Sequence, residues 1–212
     1  FMNIQDGFLT THTLETILLP EPEFMKEFVG APAERVRKLF DPRNPVMSGV
    51  VQNQDSYMKG KVAQRYFYER VAPALRNAMQ QFGELTGRAY SFVRAYRMED
   101  AEYAFIGFGS MLETAEATVD YLRGKGMKIG AIHVTSFRPF PTREIVELLK
   151  NCRAASVIER ADVPLAESNP LTTEVKAALA DGMSEGILTR MPEIFSGVAG
   201  LGGRDTRPGH FV

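Results

Sequence analysis

The run Tyr103-Ala104-Phe105-Ile106-Gly107-Phe108-Gly109-Ser110 decides the fold. Tyr103 to Phe108 is apolar and of strand length, as in a buried parallel strand. Ser110 and Glu113 then have the Ser-x-x-Glu spacing of a capping box, which predicts a helix to about Arg123. Gly124 and Gly126 end it. The same rhythm repeats downstream. Met127 to Val134 reads as a second strand, and Pro141 or Thr142 opens a helix to Lys150. Ala155 to Ile158 is a third strand. Asn169 has the chemistry of an N-cap and Pro170 that of a first helical residue, with the helix running to about Ala180. Ile187 to Thr189 reads as a short further strand and Glu193 to Val198 as an edge element. Strands alternating with helices predict an α/β fold: three layers, with a mostly parallel sheet flanked by helices and right-handed crossovers.

Upstream the pattern is different. Asp6-Gly7 is a turn signal, and Leu14 to Leu19 reads as a β-rich run stopped by Pro20. Residues 20–58 hold five prolines (Pro20, Pro22, Pro32, Pro42 and Pro45), which disfavour long regular elements there. A short helix fits Glu21 to Phe28, and Asp41 to Tyr57 reads as an extended arm. An arm without its own core must lie on something else. From Lys59 to Thr86, Val62, Tyr66, Val71, Leu75, Met79 and Phe82 recur at helical spacing. Pro73 predicts a kink there, or two helices with Pro73 near the start of the second. Arg88 to Tyr96 resembles a β-hairpin. The expected organisation is therefore residues 1–58 as the tail of a preceding domain and an inter-domain arm. Residues 59–199 form the α/β domain, with a long helix at 59–86 and a sheet core at 88–199, and residues 200–212 are an exit linker.

The bulk composition narrows the function classes. The 212 residues are 44% hydrophobic and 24% charged, which predicts a packed core rather than disorder. A net charge of −1 argues against general attraction to nucleic acid or anionic lipid. No apolar run reaches the roughly 18 residues that span a bilayer. The opening FMNIQDGF has neither a basic start nor an apolar stretch, and reads as a fragment of a longer polypeptide or one member of a split assembly. The single cysteine, Cys152, excludes an internal disulfide, a cysteine-rich zinc site and a four-cysteine cluster from these residues. It points to the cytoplasm, and to a small packing role for Cys152.

Three loops are candidate sites. Gly107-Phe108-Gly109-Ser110 follows a strand and opens a helix, as a dinucleotide fingerprint does. However, Leu112 stands where the third glycine belongs, and His133-Val134-Thr135-Ser136 offers no acid for a ribose. This leaves a tight turn capped by Ser110, or a helix N-terminus free to hold a phosphate or carboxylate from a ligand or neighbouring domain. In Thr135-Ser136-Phe137-Arg138-Pro139-Phe140-Pro141, Arg138 is set to pair with an anion or acid across an interface, or with local carbonyls and a carboxylate such as Glu159. Glu159-Arg160-Ala161-Asp162 ends the third strand, as a proton-handling group or a structural ion-pair cluster. His12, His133 and His210 lack metal-ligand spacing, and His133 reads as a satisfied strand histidine.

Several of these stretches together resemble the 2-oxoacid:ferredoxin oxidoreductases, pyruvate:ferredoxin (flavodoxin) oxidoreductases in particular. Asp6-Gly7-Phe8-Leu9-Thr10-Thr11-His12 resembles a segment near the end of their pyrimidine-binding domain. Asp41-Pro42-x-x-Pro45 and Gln52 to Met58 resemble the inter-domain arm. Tyr96 to Tyr103, Gly109-Ser110, Thr135 to Pro141 and Glu159 to Pro164 resemble the second domain, which is similar to the transketolase C-terminal domain. Gly200 to Thr206 resembles the exit from it.

The resemblance implies part of an enzyme that oxidatively decarboxylates pyruvate with coenzyme A, giving acetyl-coenzyme A and reduced ferredoxin or flavodoxin. It implies thiamine diphosphate, magnesium and iron–sulfur clusters in the full enzyme. None of these is expected within this stretch, which has no cluster cysteines and no diphosphate-binding segment. No catalytic residue and no metal ligand carries over. The implied partners are other domains or subunits of the same oxidoreductase, ferredoxin or flavodoxin, and a second copy in a homodimer of the full enzyme, with no nucleic acid and no membrane. The expected role is a non-catalytic structural or interface domain, with Ser110, Arg138, Glu159 and Arg160 as candidate anion or interface contacts. The alternatives are a stand-alone anion- or coenzyme A-binding module of the same fold, and a Rossmann-type oxidoreductase.

Overall fold

The computed structural model describes residues 2–31, 41–45, 49 and 51–212. The chain divides into two compact units. One is Glu15–Ala89; the other joins the residues up to Leu14 with Tyr90–Val212.

The Glu15–Ala89 unit holds α1 (Pro22–Val29), α2 (Gln54–Tyr68) and α3 (Val71–Thr86). The break at Glu69 and Arg70 follows from Pro73, which has no N–H to donate to a carbonyl one turn back and so sits in the first turn of α3. At the other end Gly87 takes a left-handed conformation (φ 72°) and donates to the Gly83 carbonyl, closing the helix. Phe24 and Phe28 of α1 meet Phe82 of α3, each pair of ring centroids 5.9 Å apart. Arg88 Nη1 donates to the Leu18 carbonyl at 3.0 Å. Leu18 and α1 thus contact residues of their own unit. Among the described residues its three helices bury none. Tyr57, Val62, Tyr66, Phe67 and Tyr68 of α2 are each more than half exposed, so that helix leaves its apolar side chains uncovered.

The second unit is the α/β domain. In chain order it runs β1 (Val93–Tyr96), β2 (Tyr103–Gly107), α4 (Met111–Gly124), β3 (Ile129–Val134), α5 (Thr142–Leu149), β4 (Ala154–Glu159), α6 (Pro170–Ser184) and β5 (Glu193–Val198). Its five strands form one sheet in the order β1-β3-β2-β4-β5. β1 lies antiparallel to β3, and the other pairings are parallel. Register places Ile106 of β2 between Ile132 of β3 and Val157 of β4.

Alternation along the strands sorts the core into two layers. Ala104, Ile106, Ile132, Val134, Ala155 and Val157 pack with α5 and α6. Phe105, Ile129 and Ala131 pack with Met111, Leu112, Ala115, Val119 and Leu122 of α4 on the other face. Leu112 and Val119 are at most 1% exposed, and burial of such side chains stabilises by about 1.5–3 kcal/mol each. Cys152 is buried beside Ala101, its thiol 3.5 Å from that carbonyl.

Some local expectations give way. Leu14 to Leu19 forms no strand, and its leucines are exposed, with no partner strand among the described residues. Arg88 to Tyr96 is no hairpin: only Val93–Tyr96 is a strand, and it pairs with β3 rather than with its own neighbours. Ile187 to Thr189 is not a strand, because Ile187 and Leu188 donate back to the Gly182 carbonyl and close the end of α6. Residues 59–86 fall in two helices, α2 and α3, which group with the Glu15–Ala89 unit. The arm is helical from Gln54, and the part of it at 46–48 and 50 lies outside the described residues.

Candidate functional site

The chain leaving β2 crosses by α4 on one face, and the chain leaving β4 crosses by α6 on the other. Their carboxyl ends therefore flank a topological switch point, the crevice in which open α/β sheets place ligands. The loop residues singled out in the sequence gather around this edge.

Ser110 stands at the mouth of α4, and its partner is Asp6. Asp6 Oδ2 accepts the Ser110 N–H at 2.7 Å and the Ser110 hydroxyl at 2.6 Å. The capping-box expectation fails here: Ser110 already has helical dihedrals and makes no side-chain cap bond. A carboxylate from outside the helix takes that place, where exposed N–H groups and the helix dipole favour negative charge. The two glycines serve this turn for different reasons. A β-carbon on Gly107 would lie 2.6 Å from Leu112 Cδ2 and 2.8 Å from the Ile158 carbonyl oxygen. Gly109 has φ +67°, and a β-carbon there would lie 2.6 Å from Asp6 Oδ2.

Arg160 extends from the end of β4 toward the same carboxylate, with Nε 4.0 Å from Asp6 Oδ1. Burial opposes ionisation of Asp6 more than any other single influence. Hydrogen bonds from the Ser110 hydroxyl and N–H, with the charges of Arg160 and His133, together outweigh it and hold the carboxyl below its usual range. His133, at the end of β3, contacts Arg94 Nη2 through Nδ1 at 3.3 Å. Burial, then the Arg94 charge, push its pKa down against the opposing charges of Glu113 and Asp6.

Glu159 is 4% exposed and makes a second cap of the same kind. Its Oε1 accepts the Leu171 N–H at 2.7 Å, and Oε2 accepts the Thr172 N–H at 3.0 Å and the Thr172 hydroxyl at 2.9 Å. The Thr172 hydroxyl gives its one proton to Glu159, so Ser196 of β5 donates to Thr172 Oγ1 at 3.1 Å. Asn169 occupies the N-cap position of α6 but turns its Oδ1 to the Val163 N–H at 3.0 Å, bracing the loop before the helix. The Glu159-to-Asp162 group is therefore not an ion-pair cluster: Glu159 caps α6, Arg160 faces Asp6, and Asp162 is exposed.

Arg138 pairs with Glu174 of α6, donates from Nη1 to the Phe137 carbonyl at 2.8 Å, and lies 4.3 Å from the Phe137 ring centroid. Its carboxylate partner is thus Glu174 and not Glu159, which is buried and saturated by helix N–H groups. The structure brings Ser110 and Arg160 together through Asp6, and sets Arg138 and Glu159 at separate points around α6. Asp6 is the site residue that sequence reasoning missed. Its only local signal is Asp6-Gly7, and that reports a turn.

Among the described residues no group of three or more His, Cys, Asp or Glu side chains is placed to hold a metal ion. Nor can one cysteine ligate a four-cysteine cluster. No described helix is long and apolar enough to cross a membrane.

Residues 101–211, more than half of the chain, match the family described as pyruvate:ferredoxin oxidoreductase core domain II. The chain belongs to this family. It is similar to longer proteins. It is 36% identical to pyruvate synthase subunit PorA of Thermotoga maritima, over 97% of this chain and 50% of that protein. It is 31% identical to the pyruvate-flavodoxin oxidoreductase of Enterobacter agglomerans, over 100% of this chain and 18% of that protein. The chain spans about half the length of the PorA subunits it matches. Among solved structures it is similar to a 2-oxoglutarate:ferredoxin oxidoreductase from Magnetococcus marinus, at 16% identity and a TM-score of 0.44, over 76% of this chain and 23% of that one.

Proposed function

We propose that this chain is a non-catalytic structural and interface part of a thiamine diphosphate-dependent pyruvate:ferredoxin oxidoreductase. That enzyme decarboxylates pyruvate oxidatively with coenzyme A and passes electrons to ferredoxin or flavodoxin. The observation that carries this reading is the alignment. Nearly the whole chain matches a PorA subunit and a pyruvate-flavodoxin oxidoreductase, while filling half or less of either. Thiamine diphosphate supplies carbanion chemistry and the clusters carry electrons. On this proposal both lie in other parts of the enzyme, which works in the cytoplasm and as a homodimer.

The side chains around the switch point support a structural role. Asp6 engages Ser110, Glu159 caps α6 and Arg138 is tied to Glu174, so each bonds within the chain. Exposed aromatic side chains on α2 support an interface role, since such side chains favour burial against a partner.

The test is to assay the purified chain for pyruvate-dependent reduction of methyl viologen with thiamine diphosphate, Mg²⁺ and coenzyme A. It is then co-expressed with the remaining domains of the oxidoreductase. The expected result is no reduction by the chain alone and turnover in the reassembled enzyme. Turnover by the chain alone would overturn the proposal.

A further inference from the structure

The residues up to Leu14 belong to the α/β unit, although 15–89 form a separate one and the chain rejoins the α/β unit only at Tyr90. In this N-terminal strap Leu9 is half-buried and the other large apolar side chains of residues 2–9 are exposed. Met2 is 87% exposed, Ile4 83% and Phe8 64%. Its local shape is its own: Phe8 stacks on His12 with centroids 4.8 Å apart, and the His12 N–H donates to the Phe8 carbonyl at 2.9 Å. Against the rest of the unit, the Phe8 ring rests on Gly203, where an added β-carbon would lie 3.4 Å away. The strong attachment is polar. It includes the two hydrogen bonds from Ser110 to Asp6 and the longer charge pair with Arg160. Hydrogen bonds to an ionised group are about twice as strong as neutral ones.

We propose that Asp6 is the pin that fastens residues 2–14 to the α/β unit, so that the strap attaches and detaches as one piece at the Asp6–Ser110 junction. The device is local to the strap and does not depend on which reaction the parent enzyme performs. Gly109 is its seat. Its left-handed turn and missing β-carbon leave the space that the Asp6 carboxylate fills. Residues 171 and 172 are the internal control, because their N–H groups are capped by Glu159 and touch no part of the strap.

The test is amide hydrogen exchange on the full chain by NMR, with two variants. Asp6→Ala removes the carboxylate. Gly109→Ala keeps it but occupies its seat. In both, exchange at the Ser110 amide is expected to rise about 10- to 100-fold, the equivalent of losing one or two charge-assisted hydrogen bonds. Phe8 and His12 amides are expected to reach free-peptide rates, while Leu171 and Thr172 keep wild-type protection. Wild-type protection of Phe8 and His12 in both variants would overturn the proposal. Equal acceleration at Leu171 and Thr172 would overturn it too, because the strap would then be part of the cooperative core rather than a separately pinned piece.

Discussion

Asp6 Oδ2 accepts both the backbone N–H and the hydroxyl of Ser110, at 2.7 and 2.6 Å, across 104 residues of chain. The bond closes the mouth of α4 with a carboxylate drawn from the chain itself. While it is in place, neither donor of Ser110 is free for another anion. A double-mutant cycle of Asp6→Ala and Ser110→Ala measures the pair. Expected coupling is about 1–2 kcal/mol by urea denaturation, the range for a hydrogen bond to a charged group in contact with solvent. Additive losses would show that the two side chains do not cooperate.

Stability is expected to fall in acid in two steps. His133 has a folded pKa below its ordinary 6.5. The unfolded chain therefore takes up that proton first, and the His133 contribution is lost as pH drops from about 6.5 through the folded value. Asp6 has a folded pKa below the ordinary 3.8. Its contribution is present above that ordinary value and is lost as pH falls through the lower folded one. Thermal melts from pH 8 to pH 3 check both steps. His133→Asn should remove the upper step and leave the lower.

Two charged loop residues should differ sharply on removal. Glu159→Ala leaves two buried N–H groups and a hydroxyl without their acceptor, for an expected loss of about 2–3 kcal/mol. Arg138 is 59% exposed, so Arg138→Ala should cost at most about 1 kcal/mol. Chemical denaturation of the two variants side by side decides this, and equal losses would contradict the assignment of Glu159 as the buried cap.

Cys152 should be inert. Burial pushes its thiol up to about 11, with Arg190 opposing only weakly. At pH 8 the folded chain is expected to resist iodoacetamide, and to alkylate at Cys152 only when denatured. Mass spectrometry of the intact chain reads the outcome directly.

Sequence legibility followed the range of the interaction. The strand–helix alternation from Tyr103 onward is written in local periodicity, and so is the break forced by Pro73. Both appear where that patterning places them, apart from the strand expected at Ile187 to Thr189. Val93 to Tyr96 looked like half of a hairpin, because its true partner, β3, lies more than thirty residues away. The same limit hid the site. Ser-x-x-Glu spacing at Ser110 describes a self-capped helix, and nothing near it tells that Asp6 arrives from the far end of the chain. Asn169 and Pro170 marked the start of α6 correctly, yet the cap itself comes from Glu159 on the preceding strand. Cap positions are local, but the groups that fill them are tertiary.

Coenzyme A, titrated to millimolar concentration against the full chain while the Ser110 and Arg138 amides are followed by NMR, tests most directly whether these strand ends hold the chain together rather than a ligand. With Asp6 seated on Ser110 and Glu174 on Arg138, neither amide is expected to move. A saturable shift centred on Ser110 in the wild-type chain would contradict it.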